Sequence, residues 1–128
     1  MAKAILEHIN MTVSDPDKTA HMLVTLFDWT VRWAGESMNN GRTVHVGTDT
    51  DYVALYSVNA PRAKVRDENY TCSGGLNHLG ILVEDLAATE KRVLDFGIKT
   101  HSHQTYEPGS RFYFHDHDEI EYEVLSYS

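Results

Sequence analysis

The chain has 128 residues, of which 41% are hydrophobic, so it can build one domain with a hydrophobic core but not two ordinary domains. Its 19 acidic residues outnumber 11 Lys and Arg, and the formal net charge of −8 argues against nucleic acids and anionic membranes as partners. The single cysteine, Cys72, excludes an internal disulfide, and no segment has the apolar length of a signal peptide or a membrane span. These features predict a cytoplasmic protein, and eight histidines in an acidic chain suggest a cation as a ligand.

An internal repeat is the main feature of the sequence. The stretch "LEHINMTVSD" near the start is followed seventy residues later by "LNHLGILVED". This offset places His8 over His78 and Asp15 over Asp85, and several matches at one offset are harder to obtain by chance than a single match. In each copy apolar residues alternate with other residues, which predicts a half-buried strand with the histidine on its less aliphatic face.

The first repeat continues as a helix and three strands. In "SDPDKTAHMLVTLFDW", Asp15 is a candidate N-cap, Pro16 suits the first turn and the apolar residues have helical spacing, so we predict a helix near 16–28. Turn residues then separate three segments with strand character. These segments read "TVRWAG", "RTVHVG" and "YVALYS".

The same order of elements restarts after a polar connector. The stretch 58–75 has no periodicity and ends in two glycines, which is typical of a linker. Beyond it the pattern predicts a strand at 76–84, a helix near 86–96 that is capped by Asp85, and strands near 98–103, 111–115 and 120–126.

The predicted fold class is therefore α+β, with two tandem βαβββ modules whose sheets form a curved cup. One helix covers one face of each sheet and leaves the other face free to line the cup. The predicted organisation is a single domain, 1–128, with module one at about 4–57 and module two at about 76–128.

Strand parity predicts which side chains line the cup. If the aliphatic residues face the helices, the opposite faces carry these groups: His8, His45, Tyr52, Ala54, Tyr56, His78, Arg111, Tyr113, His115, Glu121 and Glu123. A single strand histidine is more often a surface or hydrogen-bonded residue than a ligand. Its repetition, with carboxylates on the same face, favours a metal site made of His8, His78 and a glutamate.

The last strands of the chain include the segment "FYFHDHDEIEYEV". Together with the doubled modules and their opening histidines, it resembles the vicinal oxygen chelate superfamily, which includes glyoxalases, fosfomycin and bleomycin resistance proteins, and extradiol dioxygenases. The family commonly has an Asp-Pro-Asp-Gly turn before a metal-binding glutamate. Matched without gaps, the resemblance implies Glu123 as the ligand, with Glu121 as the alternative, and the turn departs from the pattern at His117 and Glu119.

The resemblance also implies a reaction class. Many glyoxalase-type lyases place a second metal-bound carboxylate on the last strand of the first module, where this chain has Ala54. Two histidines and one carboxylate are the ligand set of ferrous oxygenases, so we expect a divalent metal cofactor, with Fe(II) favoured and Mn, Zn, Ni or Co as alternatives. Tyr113 lies at the spacing of the extradiol dioxygenase tyrosine, and His115 and His45 are candidates for acid-base catalysis.

Other functions stay open. Residues 46–77 contain no histidine, although extradiol enzymes carry a proton-transfer histidine shortly before the second ligand, and those enzymes usually have two doubled units. The alternatives are a glyoxalase-like lyase or isomerase and a non-catalytic binder like the bleomycin resistance proteins. In each case the expected partner is a small molecule and the expected assembly is a homodimer, with no nucleic acid and no membrane.

Overall fold

The computed structural model describes residues 2–58, 69–106 and 109–128, and the chain divides into two compact units, Met1–Arg62 and Ala63–Ser128. The first unit contains β1 (His8–Thr12), α1 (Pro16–Phe27), β2 (Thr30–Ser37), a short 3-10 turn (Met38–Asn40), β3 (Gly41–Gly47) and β4 (Tyr52–Ser57). The second contains β5 (Leu79–Leu82), α2 (Leu86–Asp95), β6 (Thr100–Tyr106), β7 (Gly109–His115) and β8 (Glu121–Ser126). The predicted α+β class with two βαβββ modules is confirmed, and we call the units module one and module two.

Both modules have the same sheet topology. The strand order is β1-β4-β3-β2 in module one and β5-β8-β7-β6 in module two. The first strand of each module runs parallel to the last strand, and the remaining pairs are antiparallel. The residues at the start of each module therefore lie beside residues at its end.

Aspartate side chains begin both helices, as predicted. The Asp15 carboxylate accepts a hydrogen bond from the backbone N–H of Lys18 at 3.2 Å, and Asp85 accepts one from Ala88 at 3.0 Å. These bonds satisfy N–H groups that have no partner within the first turn of a helix. Gly97, with φ of +97°, follows α2 in the left-handed region that glycine enters most readily.

Alternate residues of the strands are buried. Met11 on β1, Val53 and Leu55 on β4, Phe112 and Phe114 on β7, and Tyr122 and Val124 on β8 all belong to the core. The residues between them form the opposite faces, where His8, Tyr113 and Glu123 lie. This parity agrees with the predicted assignment of the polar groups to the faces away from the core.

Two strands differ most from their predicted bounds. The segment predicted as a strand at 76–84 forms only Leu79–Leu82, so His78 directly precedes β5, whereas His8 is the first residue of β1. The strand predicted at 98–103 runs to Tyr106, because a register shift between His101 and Gln104 lets pairing with β7 continue beyond it. The predicted connector 58–75 falls largely outside the described residues, and in the described part of the chain no helix has the length and apolarity to cross a membrane.

Candidate metal site

Two of the predicted ligands meet in module two. His78 lies just before β5, and Glu123 lies on β8, paired with Gly80 of β5. The Nε2 atom of His78 is 3.0 Å from Oε1 of Glu123. Because Tyr122 and Val124 point into the core, Glu123 is held on the opposite face, toward the histidine.

Arg111 holds the other oxygen of the same glutamate. Its Nη1 donates a hydrogen bond to Oε2 of Glu123 at 2.7 Å, and both side chains are only 12% exposed. The guanidinium carbon lies 4.6 Å from the ring centre of Tyr106. Within the described residues the buried Nε of Arg111 has no acceptor, so this arginine carries a donor that a bound oxygen atom could use.

Tyr70 is a site residue that was not predicted from the sequence. Its hydroxyl donates a short hydrogen bond to Oε1 of Glu121 and lies 3.3 Å from Nδ1 of His78. Burial, followed by the hydrogen bond to Glu121, raises the pKa of Tyr70 to about 12. The available signal was an aromatic residue in a polar connector, eight positions before a candidate ligand.

Tyr113, the predicted catalytic tyrosine, lies beside the same pair. It is paired with Glu123 across β7 and β8, and its ring meets the ring of His78 edge to face, with centres 5.7 Å apart. Burial, and then the negative charge of Glu123, raises the pKa of Tyr113. Its phenol is therefore protonated at neutral pH and can donate a hydrogen bond.

His115, another predicted catalytic residue, lies farther along the same face of module two. Its Nε2 is 3.3 Å from Oε2 of Glu121, and its Nδ1 is 3.1 Å from Nε2 of His101 on β6. The imidazole rings of the two histidines are nearly parallel, with centres 5.0 Å apart. Glu121, the alternative ligand, thus contacts His115 and Tyr70, whereas Glu123 contacts His78.

The other predicted site residues lie in module one. Nδ1 of His8 is 2.9 Å from Oε1 of Glu7, and the His8 ring stacks on Tyr52 with centres 4.9 Å apart. The ring of His45 stacks on the same tyrosine at 4.6 Å. Burial, and secondarily the charge of His8, lowers the pKa of His45, so this imidazole is neutral at physiological pH and able to accept a proton.

Ala54 has in module one the register position that Glu123 has in module two. On β4, Ala54 pairs with Asn10, two residues after His8. On β8, Glu123 pairs with Gly80, two residues after His78. Ala54 is 1% exposed, and its methyl group can neither bind a metal nor carry a proton.

Residues 7–114 match the family model described as the glyoxalase/bleomycin resistance protein/dioxygenase superfamily. The chain belongs to this superfamily. This superfamily is also called the vicinal oxygen chelate superfamily. The resemblance identified in the sequence is therefore confirmed. No curated protein sequence matches the chain significantly.

Solved structures share the fold of this superfamily member at low sequence identity. A glyoxylase/bleomycin resistance protein/dioxygenase domain from Frankia sp. EAN1pec has a TM-score of 0.81 and 22% identity, with 98% of each chain covered. Fosfomycin resistance protein FosX from Mesorhizobium loti has a TM-score of 0.71 and 22% identity, covering 97% of this chain and 91% of that one. FosX from Listeria monocytogenes, complexed with Mn(II) and sulfate, has a TM-score of 0.73 and 16% identity, covering 98% and 93%.

The donor atoms of module two fit the divalent ion typical of the superfamily. Two ligand atoms bound at about 2.1 Å to one ion lie about 3.0–3.4 Å apart, and Nε2 of His78 is 3.0 Å from Oε1 of Glu123. With Nε2 of His78 on an ion, its Nδ1–H can donate to the oxygen of Tyr70, which in turn donates to Glu121. Such outer contacts orient ligand histidines in metal sites.

Proposed function

We propose that the chain is a divalent-metal-dependent enzyme that acts on a small molecule with two adjacent oxygen atoms, and that its reaction is extradiol-type cleavage of a catechol-like ring with Fe(II). The observation that carries the proposal is the contact between His78 and Glu123 in module two. At the equivalent position module one has Ala54 in place of a second carboxylate. Two histidines and one carboxylate leave more open positions on an ion than a four-ligand lyase site does.

In this proposal the ion is held by His8, His78 and Glu123. A bound ferrous ion would supply positions for two substrate oxygens and for dioxygen. The protein groups around it bind and orient. Arg111 fixes Oε2 of Glu123 and leaves Oε1 toward His78, so the carboxylate offers a single oxygen.

Three further residues are assigned to the substrate in this proposal, one as a hydrogen-bond donor and two as candidates for proton transfer. Tyr113 donates a hydrogen bond to a substrate oxygen, because its raised pKa keeps the phenol protonated. His45, with its lowered pKa, is the neutral base that takes a substrate hydroxyl proton, and His115 is the second candidate for proton transfer. The column of aromatic rings formed by His8, Tyr52 and His45 suits a flat aromatic substrate.

Solved structures support the choice of a metal enzyme over a binder without metal. The Listeria fosfomycin resistance protein binds Mn(II) in this fold, and the acidic net charge of this chain favours cations. We also propose that the protein is a homodimer and that it is located in the cytoplasm. Light scattering coupled to size-exclusion chromatography measures the oligomeric state.

Metal content is the first experiment. The metal content of tag-free protein, purified without chelator or added metal, is measured by elemental mass spectrometry. The variants His8→Ala, His78→Ala and Glu123→Ala are measured in the same way. We expect each variant to lose one metal equivalent, whereas the control His21→Ala, a histidine on α1 outside the proposed site, keeps it. Metal content in His8→Ala equal to that of the wild type would show that the ligand assignment is wrong.

Activity is the second experiment. Protein loaded anaerobically with Fe(II) is mixed with a panel of catechols while oxygen uptake and the yellow ring-cleavage product are followed. We expect uptake that requires both iron and catechol and that Glu123→Ala abolishes. Isomerisation of a hemithioacetal under Zn or Ni without oxygen uptake would instead identify a lyase, and tight binding of an aromatic drug without turnover would identify a binder.

A further inference from the structure

We propose that module two carries a second divalent-ion site, formed by His101, His115 and Glu121, which takes a transition-metal ion of the Zn²⁺ type. This site shares no ligand with the proposed His8, His78 and Glu123 set, so it stands whether or not that set binds a metal. With His115 as a ligand here, proton transfer in the proposed function is left to His45. Its residues come from three neighbouring strands, β6, β7 and β8.

The donor atoms already converge. One nitrogen of each histidine and one oxygen of Glu121 lie within 4.8 Å of one another. Two of the contacts have the spacing of adjacent ligands, which is about 3.0–3.4 Å for bonds of about 2.1 Å. Nε2 of His101 is 3.1 Å from Nδ1 of His115, and Nε2 of His115 is 3.3 Å from Oε2 of Glu121.

A single ion needs only one nitrogen of His115, so this ring must turn to bring the three donors onto one centre. The side chain of His115 is 46% exposed, which gives the ring room to turn and gives the ion a path from solvent. The backbones of β7 and β8 remain in register during this change, since His115 pairs directly with Glu121. The required adjustment is therefore confined to side chains.

Outer contacts orient the other two ligands as they do in known metal sites. Nδ1 of His101 is 2.9 Å from the hydroxyl oxygen of Ser102, which leaves Nε2 as the nitrogen that faces the site. Tyr70 donates to Oε1 of Glu121, and Oε2 is left on the side of His115. Each of these two residues thus presents one donor atom to the site and uses its second atom to hold its position.

The local backbone holds His101 in place. The register shift between His101 and Gln104 includes Ser102, which has a φ of +57°, unusual for a residue other than glycine. The shift returns β6 to pairing while His101 stays opposite Tyr113. His101 is thereby kept on the face of the sheet that carries His115.

The ligand types select the metal class. Two imidazoles favour Zn²⁺, Co²⁺, Ni²⁺ or Cu²⁺ over Mg²⁺ and Ca²⁺, which prefer oxygen ligands. Three protein ligands leave at least one position for water or a small anion. We therefore expect an open, solvent-accessible site.

Zinc titration of tag-free, chelator-stripped protein tests the proposal. Bound Zn²⁺ is counted by equilibrium dialysis in the wild type, in His101→Gln and in His115→Gln. The matched control is His103→Gln, because His103 lies on the same strand and contacts Glu90 instead of the three ligands. We expect two equivalents in the wild type and in the control, and one equivalent in each of the two ligand variants.

The variant His8→Ala separates this proposal from the proposed function. One equivalent in His8→Ala, and none after His101→Gln is added to it, supports both sites. If His8→Ala keeps all the zinc and His101→Gln loses one equivalent, the second site stands and the first ligand assignment falls. If neither His101→Gln nor His115→Gln loses zinc, the second site is refuted.

A spectroscopic measurement and a folding check complete the experiment. Co²⁺ in the His8→Ala variant is expected to show visible absorption bands that disappear in His8→Ala, His115→Gln. Circular dichroism and melting temperature verify that each variant is folded. Because the side chain of His115 is exposed, we expect His115→Gln to fold normally, so that a loss of metal reflects the loss of a ligand. Unchanged Co²⁺ bands in the double variant would overturn the assignment of His115.

Discussion

Ala54 and Glu123 occupy the same register position in the two modules, one beside Asn10 and the other beside Gly80. We expect Ala54→Glu to add a carboxylate to the His8 side of the proposed site and to tighten Zn²⁺ binding about 10-fold relative to Ala54→Gln, which has nearly the same volume and no charge. Because Ala54 is buried, both variants should lose about 1–3 kcal/mol of stability without metal. Equal zinc affinity in the two variants would place Ala54 away from the ion.

The pair of Arg111 and Glu123 should be coupled in stability. Both side chains are mostly buried, so Glu123→Gln leaves the arginine charge without its carboxylate and should cost about 1–3 kcal/mol. The double variant with Arg111→Met should cost less than the sum of the two single changes, by about 1–2 kcal/mol. Urea unfolding of the four proteins measures this coupling, and additive losses would show that the contact contributes nothing.

Tyr113 should affect turnover without affecting metal content. Its phenol is a hydrogen-bond donor in the proposed function, so Tyr113→Phe should lower kcat for the catechol reaction by about 10- to 100-fold. Metal content should equal that of the wild type, since the phenol is not a ligand in the proposal. Loss of metal in Tyr113→Phe, with the melting temperature unchanged, would assign the tyrosine to the metal site instead.

The sequence was sufficient to predict the repeat, because local signals define it. The seventy-residue offset, the alternation along the strands and the caps Asp15 and Asp85 each depend on residues close together in the chain. The departure of the turn at Glu119 is also accommodated locally, since Glu119 adopts a φ of +62° in the position where the family commonly has glycine. The contact of His101 with His115 could not be predicted in this way, because it depends on a register shift between β6 and β7.

Tyr70 and Arg111 illustrate the same limit. Tyr70 contacts His78 only because the turn between them brings the phenol back over the histidine, and a connector without periodicity does not reveal its turns. Arg111 was placed on the correct face by parity, but its contact with Glu123 depends on side-chain conformations that parity does not determine. Parity likewise does not determine that Glu123 contacts His78 and that Glu121 contacts His115.

Asp116 should make the stability of module two depend on pH. The carboxylate accepts hydrogen bonds from the N–H groups of Asp118 and Ile120 at 2.8 and 3.0 Å and from the Tyr122 hydroxyl at 2.9 Å. Burial nevertheless raises the pKa of Asp116, so the folded state binds this proton at higher pH than the unfolded chain does. The contribution of Asp116 to stability is therefore present at low pH and is lost as the pH rises through its folded pKa.

The comparison of wild type with Asp116→Asn isolates this effect, because Asn does not titrate. Relative to that variant, the wild type should lose free energy of unfolding as the pH rises from about 4, near the unfolded pKa, toward neutrality. Asp116→Ala should be less stable at every pH by about 2–4 kcal/mol, since it leaves buried donors without an acceptor. A difference between wild type and Asp116→Asn that does not vary with pH would contradict the raised pKa.

The parallel pairing of first and last strands sets the order in which the protein can fold during synthesis. His8 pairs with Tyr52, and Leu79 pairs with Tyr122, so each first strand must wait for a partner made more than forty residues later. Closing such a long loop is slow compared with forming the adjacent hairpins. Module one can complete its sheet once β4 has left the ribosome. In module two, β5 has no partner until β8, which carries both glutamates, has also emerged.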